Sequence, residues 1–505
     1  MSLLRRYKTE ILCLLLFTVV YFSLRLYQLS SLPIFTDEAI YLHWAVVAKN
    51  DVAQRFISLT DGKQPLFVWL TVFSLSFFKD PLFAGRMVSV VSGLFTMIGL
   101  FFLGKELFRK RWIGLIAAAF YIFFPMAVFF DRMALYDSLV TTFCIWGLYV
   151  ELLLVRYVRL DIALILGFVL GGGMLTKTNA FFTAAFLPFT LLFFDWQKKA
   201  RIQRLFLWGF YAILAFVLAY MYYSILRLSP FFYIIDQKNH EFVLPFSEWI
   251  NNPFIYFSGN MASFLFWILT YLTPPFVLLV LVGICFGKKH FKQIIFLVLC
   301  CVLPLVYLAF FGKIGYSRYL FFMITPLLIV AAFALVTLRE YIRNSMLFIG
   351  LVLIISVWPL YTDYKILTDV AKAPIPKGDV GQYINGWAAG GGVKEAIAFF
   401  EKEGKNKKIY IATQGTFGLM PYALEIYLGK NQNIKTQGIW PIQDSLPQQV
   451  LEASTHMPTY FLFYQPCENC TAAGIAPVSL PLEKVLQVEK EKNISYLTVY
   501  KVITH

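Results

Sequence analysis

Eleven long apolar runs constrain this chain before anything else does. They lie near residues 11–29, 84–104, 112–130, 138–155, 160–176, 179–194, 205–226, 264–286, 293–311, 319–338 and 345–361. Most are close to the roughly 20 residues that carry a helix across a hydrocarbon core. Composition agrees: 59% of the 505 residues are hydrophobic, 14% are charged, and mean hydropathy is +0.67. Soluble domains run nearer about 45–50% apolar and about 25% charged, so a water-soluble single-core protein and a disordered chain are both excluded. The first run follows Arg5, Arg6 and Lys8, as a signal peptide would, but it is too long for such a segment and no small-residue cleavage site follows it.

A shorter apolar stretch, 65–78, either crosses the bilayer or lies along it, and the basic residues decide. If it lies flat, alternate loops hold 18 Lys and Arg against six acids, and the opposite loops hold 12 against 10. Counting Lys and Arg in short loops makes the first set cytoplasmic. The net charge of +15 is thereby read as topology, and nucleic acid is not an expected partner. The N-terminus is then cytoplasmic, and an odd number of spans leaves the C-terminal tail outside.

That tail, 362–505, is a different polymer. Ile409–Ala412, Thr459–Tyr464 and Tyr496–Val502 carry strand signals, while Val393–Glu403 and Gly418–Leu428 carry helical spacing. A small extracytoplasmic α/β domain is expected there, and 1–361 is expected to form the membrane domain, with 30–83 as its outer loop. Five of seven Cys lie in apolar runs, so there is neither a disulfide framework nor a zinc spacing. Cys467 and Cys470 are the pair that can bond, as a structural rather than a redox disulfide in an outward-facing domain. Gly390-Gly391-Gly392 before a helix reads as a turn in preference to an anion site.

Charges near membrane depth are costly, and those that persist usually face a cavity. Asp37 and Glu38 follow the first span, where Thr36 is expected to cap a helix whose dipole favours carboxylates. Asp131 and Asp137 stand at the end of the third run, too far apart in register to form one dyad, and one of them can pair with Arg132. Lys63, Lys177, Lys313 and Arg318 lie on the side that should be poor in cations; a bound phosphate would account for them. His240 and Glu241, in the long loop 227–263, are further candidates, though a solvated His is the commoner case. No cofactor motif is present. A divalent metal stays open, with Asp37, Glu38, Asp131 and His240 as the candidate ligands, but no spacing demands one.

Asp37-Glu38, Lys63-Gln64-Pro65-Leu66, Arg86, Arg132 to Asp137, Thr176-Lys177 and Arg318-Tyr319, in this order and on one side, resemble the GT-C glycosyltransferases of the protein O-mannosyltransferase and lipid A aminoarabinose transferase type. The resemblance covers about residues 1–361; Gln64 departs from it, since many relatives carry a second Pro there. It implies an α-helical polytopic membrane protein of GT-C type, with about eleven transmembrane helices plus juxtamembrane helices, in the plasma membrane of a prokaryote. It further implies transfer of a sugar from a polyprenyl-phosphate carrier to a hydroxyl of a lipid, glycan or protein acceptor outside the cytoplasm, by a single inverting displacement. Asp37 would be the base, Glu38 its support and Asp137 an orienting group. Lys63, Lys177, Arg318 and Arg132 would bind the carrier phosphate, with Asp131, His240 and Lys313 as further candidates. The rival readings are a transporter or flippase for a lipid-linked sugar, an oligosaccharide transferase, and a non-catalytic scaffold. A transporter would call for inverted repeats and charged, broken mid-span helices, and the sequence has neither.

Overall fold

The computed structural model describes residues 8–442, 445–467 and 470–503. Arg5 and Arg6, counted above among the cytoplasmic cations, lie outside the described residues. The protein is an α-helical, multi-pass membrane protein with a C-terminal α/β domain. Every one of the eleven apolar runs is helical over most of its length. Among the described residues, six helical stretches are long and apolar enough to cross a membrane unbroken, and the 55-residue stretch Phe257–Phe311 holds two helices, Phe257–Phe286 and Phe291–Phe311. Ser317–Ile324 and Leu327–Tyr341 add a pair bent by 50° at Thr325-Pro326, where proline cannot continue the hydrogen-bond ladder. The stretch 65–78 yields only the nine-residue helix Leu66–Ser74, about 13 Å long and too short to cross.

The chain divides into two compact units. The helical unit comprises 1–27, 55–70 and 86–368; the sheet unit comprises 28–54, 71–85 and 369–505. In the helical unit, Gly167 and Gly171 face the helix Arg201–Ser224. A Cβ on Gly167 would stand 2.6 Å from Leu218, and one on Gly171 would stand 3.0 Å from Tyr222. With Ala219 opposite, this small-residue seam lets Leu160–Met174 approach closely, where packing rather than hydrophobicity drives helix association in lipid.

The sheet unit carries five strands: β1 Ile409–Gln414, β2 Ile434–Ile439, β3 Thr459–Phe463, β4 Leu482–Glu491 and β5 Ser495–Val502, in the order β2-β1-β3-β5-β4. β1 pairs in parallel with β2 and β3, while β5 runs antiparallel to β3 and β4. The strands expected from sequence are the central three, whose residues are almost all buried. The unexpected two are the edges. In Leu482–Glu491 five of ten residues are charged, which blunts an edge against stray pairing and also hides its period. Cys467 and Cys470 are disulfide-bonded.

The Gly390-Gly391-Gly392 run is a packing turn. Residues 388–390 run beside residues 34–36: Gly390 N donates to Ile34 O at 2.7 Å, and a Cβ on Gly390 would sit 2.5 Å from that oxygen. Lys490 on β4 donates its ammonium to the carbonyls of Trp387 (3.1 Å) and Ala389 (2.7 Å), and burial pulls it down to about 7. The unfolded chain, with an ordinary lysine near 10.4, holds that proton through a range in which the folded chain has lost it. Stability should therefore rise with pH between about 7 and 10.4. In Lys490→Met this component of the pH dependence should vanish, as read from the difference between the two proteins' thermal midpoints across that range; parallel profiles would refute it.

Candidate functional site

The loop after the short 3-10 helix Ile57–Asp61 begins the site. It turns at Gly62, whose φ of +66° and lack of room for a Cβ (Lys238 Cγ at 2.8 Å) both call for glycine. The next residues are tied to the loop after Leu160–Met174. Gln64 Nε2 donates to Thr178 Oγ1 at 2.9 Å, and Leu66 N donates to Leu175 O at 3.0 Å. Thr178 Oγ1 in turn donates to Asn239 Oδ1 at 3.4 Å. Three segments distant in sequence thus meet around one cavity of about 500 Å3. Lys63, Lys177 and Lys238 line it, with Phe181, Phe242 and Tyr319 among its apolar walls.

The cations at this cavity are held in unequal ways. Lys177 Nζ binds Asp137 Oδ1 at 2.7 Å, and the other oxygen of Asp137 stands 4.0 Å from Arg318 Nε. The Lys177 ammonium also lies 4.5 Å over the Tyr319 ring, Arg318 lies 5.0 Å over Tyr316, and Lys63 lies 5.3 Å over Phe242. Lys238 has its own carboxylates, Asp61 at 3.2 Å and Glu241 at 2.9 Å. Asp137 is therefore one carboxylate set between two cations, Lys177 and Arg318, and Lys63 lies close enough to bear on Lys177. Burial pulls Lys177 below the ordinary ammonium range; Asp137 opposes that shift, and Arg318 and Lys63 reinforce it.

The remaining expected residues are placed differently. Asp131 pairs not with Arg132 but with Arg25 of the first span, Nε to Oδ2 at 3.3 Å, both side chains fully buried. Arg132 Nη2 donates to the carbonyl of Tyr27 at 2.7 Å. His240 Nε2 lies 3.5 Å from Asp236, both exposed, and Lys313 Nζ donates to the His240 carbonyl at 3.1 Å. In the sheet unit, Asp37 occupies the first turn of the helix Thr36–Asn50 and is partly exposed. Thr36 is not the cap: its hydroxyl donates to Ala388 O at 2.8 Å. Glu38, wholly buried, reaches back to accept the Phe35 amide at 3.0 Å, as the third residue of a capping box does. The same helix packs on Leu419–Leu428, with His43 stacked on Tyr422 at 3.9 Å and its Nδ1 3.2 Å from Glu425. Among the described residues no three His, Cys, Asp or Glu gather as metal ligands. Sequence reasoning missed Lys238 and Asn239 at the cavity and Arg25 beside Asp131; a cation inside an otherwise apolar first span was the one available signal for Arg25.

A protein-family profile described as dolichyl-phosphate-mannose-protein mannosyltransferase matches residues 62–223, a stretch that contains Lys63, Asp137 and Lys177. No curated protein sequence matches the chain. Among solved structures, ArnT from Cupriavidus metallidurans in the apo state superposes with a TM-score of 0.59 at 15% identity, covering 99% of this chain and 98% of that one. The same protein bound to undecaprenyl phosphate gives 0.57 at 14% identity, with the same coverage. The oligosaccharyltransferase of Archaeoglobus fulgidus tethered with an acceptor peptide gives 0.52 at 10% identity, covering 92% of this chain and 70% of that one. At such identities the likeness is one of fold. The whole chain therefore has the fold of these membrane glycosyltransferases, and the family match covers less than half of its length: the chain is a multi-pass membrane protein of GT-C glycosyltransferase fold.

Proposed function

We propose that this enzyme takes a sugar from a polyprenyl-phosphate carrier and passes it to an acceptor hydroxyl on the extracytoplasmic side of a prokaryotic plasma membrane. The observation that carries this is the gathering of Lys63, Lys177 and Arg318, the last two on the two oxygens of Asp137, beside an aromatic-walled cavity that Lys63 and Lys177 line. A phosphate monoester, the group that departs, carries negative charge, and Lys and Arg stabilise it by charge-assisted hydrogen bonds. The undecaprenyl phosphate found in ArnT supports the same donor class.

In this reading the acceptor oxygen attacks the anomeric carbon, Asp37 takes the hydroxyl proton, and the bond from carbon to phosphate oxygen breaks with its electron pair on the phosphate. One displacement inverts the anomeric centre. Asp137 acts as a positioning residue, keeping Lys177 and Arg318 apart and aimed. Lys238, neutralised by Asp61 and Glu241, shapes the wall.

Lys177→Ala should weaken polyprenyl-phosphate binding tenfold or more, the loss of a hydrogen bond to a charged group being worth about 1.5–3 kcal/mol. Ligand-dependent thermal stabilisation of the purified protein reads this directly. Because the Lys177 ammonium loses its proton more easily than an ordinary lysine, wild-type affinity should fall as pH rises, with a midpoint below 10.5. An unchanged thermal shift in Lys177→Ala would remove the donor from this cavity.

A further inference from the structure

The β2 edge of the sheet unit carries a second cavity, of about 600 Å3, which shares no lining residue with the cationic one. Thr416, Gln437, Trp440, Gln448, Gln449 and Glu452 line it. Trp440 is 54% exposed, a large apolar face left to water where burial would stabilise it. The polar groups beside it are already oriented. Gln437 accepts from the Tyr410 hydroxyl at 2.6 Å and donates its amide to Gln449 Oε1 at 2.5 Å. Gln448 donates to Glu452 Oε1 at 2.8 Å. These bonds fix the side chains and, among the described residues, leave the Gln449 amide nitrogen and the second Glu452 oxygen for another partner.

A flat indole bordered by fixed amides and one carboxylate suits a particular chemistry. A pyranose presents a face of C–H bonds to the ring and a rim of hydroxyls that both donate and accept. A concave site with few, placed polar groups supplies both needs. Among the described residues no Lys or Arg lines the cavity, so a phosphate or sulfate finds no counter-charge there. A protein strand adding to β2 would meet Pro441 two residues past its end, which has no amide hydrogen to offer. We propose that this cleft is a saccharide-binding site for an uncharged glycan, built from residues none of which lines the cationic cavity, and independent of the donor assignment made for that cavity.

The test uses the full chain in lipid nanodiscs free of glycoside detergent. Mannotetraose, maltotetraose and cellotetraose are titrated by calorimetry up to about 20 mM, enough to saturate even a millimolar site. At least one should bind saturably. Trp440→Ala should weaken that binding tenfold or more, Trp440→Phe should retain most of it, and Gln449→Ala should weaken it severalfold, all with an unchanged thermal shift by polyprenyl phosphate. Absence of saturable binding by all three, equal binding in Trp440→Ala, or preference for a sulfated tetrasaccharide would each overturn the proposal.

Discussion

Asp37→Asn should lower sugar transfer by about 10²–10⁴-fold while leaving the fold and donor binding intact, since that is the range a positioned general base contributes. The substitution keeps shape and removes the negative charge and basicity. The helix-dipole part of its structural cost is small: a carboxylate in the first turn gains about 0.3–1 kcal/mol, and Asp37 is partly exposed. Glu38 supplies the contrast. It is wholly buried and accepts the Phe35 amide, so Glu38→Ala should loosen the start of Thr36–Asn50 and lower stability, whereas Glu38→Gln keeps an acceptor and should be milder. Single-turnover transfer with saturating donor separates the two residues. Near-normal turnover by Asp37→Asn would remove it from the mechanism, and full loss in Glu38→Gln with a normal thermal midpoint would move the base to Glu38.

What was readable from sequence follows the strength of the physical signal. Spans were legible because lipid imposes one length and one composition on them, and the central strands β1, β3 and β5 because they are buried. The edge strands were not, since Leu482–Glu491 carries five charges among its ten residues. At the site, Lys63, Lys177 and Arg318 stood out as cations on the side that should lack them, and the helical unit brings Lys177 and Arg318 to Asp137 with Lys63 near Lys177. Lys238 and Asn239 did not stand out, because a charged residue in a long polar loop breaks no rule. Only the fold of 234–245 over the cavity brings them in. Glu38 was seen as a carboxylate beside a carboxylate, and its reach back to the Phe35 amide is a matter of local geometry.

Arg25 was the most consequential omission, and it carries the largest expected effect on stability. Asp131 receives four donors: Arg25 Nε at 3.3 Å, the hydroxyls of Tyr21 and Tyr121 at 3.1 Å each, and Ser138 at 2.9 Å. Arg25 spends its other nitrogens on the carbonyls of Ile122 and Tyr121. Both charges are inaccessible to solvent, and a Cβ on Gly93 would overlap the carboxylate, so there is no space for water to replace a lost partner. Removing one member of such a pair strands the other, at a cost of about 3–5 kcal/mol, while replacing both with apolar groups is often close to neutral. Arg25→Met should therefore lower stability by that amount, and Arg25→Met with Asp131→Leu should recover more than half of it. Thermal midpoints of the four proteins in one detergent give the coupling. Additive losses, or a single-variant cost below about 1 kcal/mol, would mean that the pair is not what ties the first span to the turn after Pro125–Phe130. Recovery in the double variant, with transfer activity retained, would separate Asp131 from the chemistry and leave Asp137 as the carboxylate on which Lys177 and Arg318 depend.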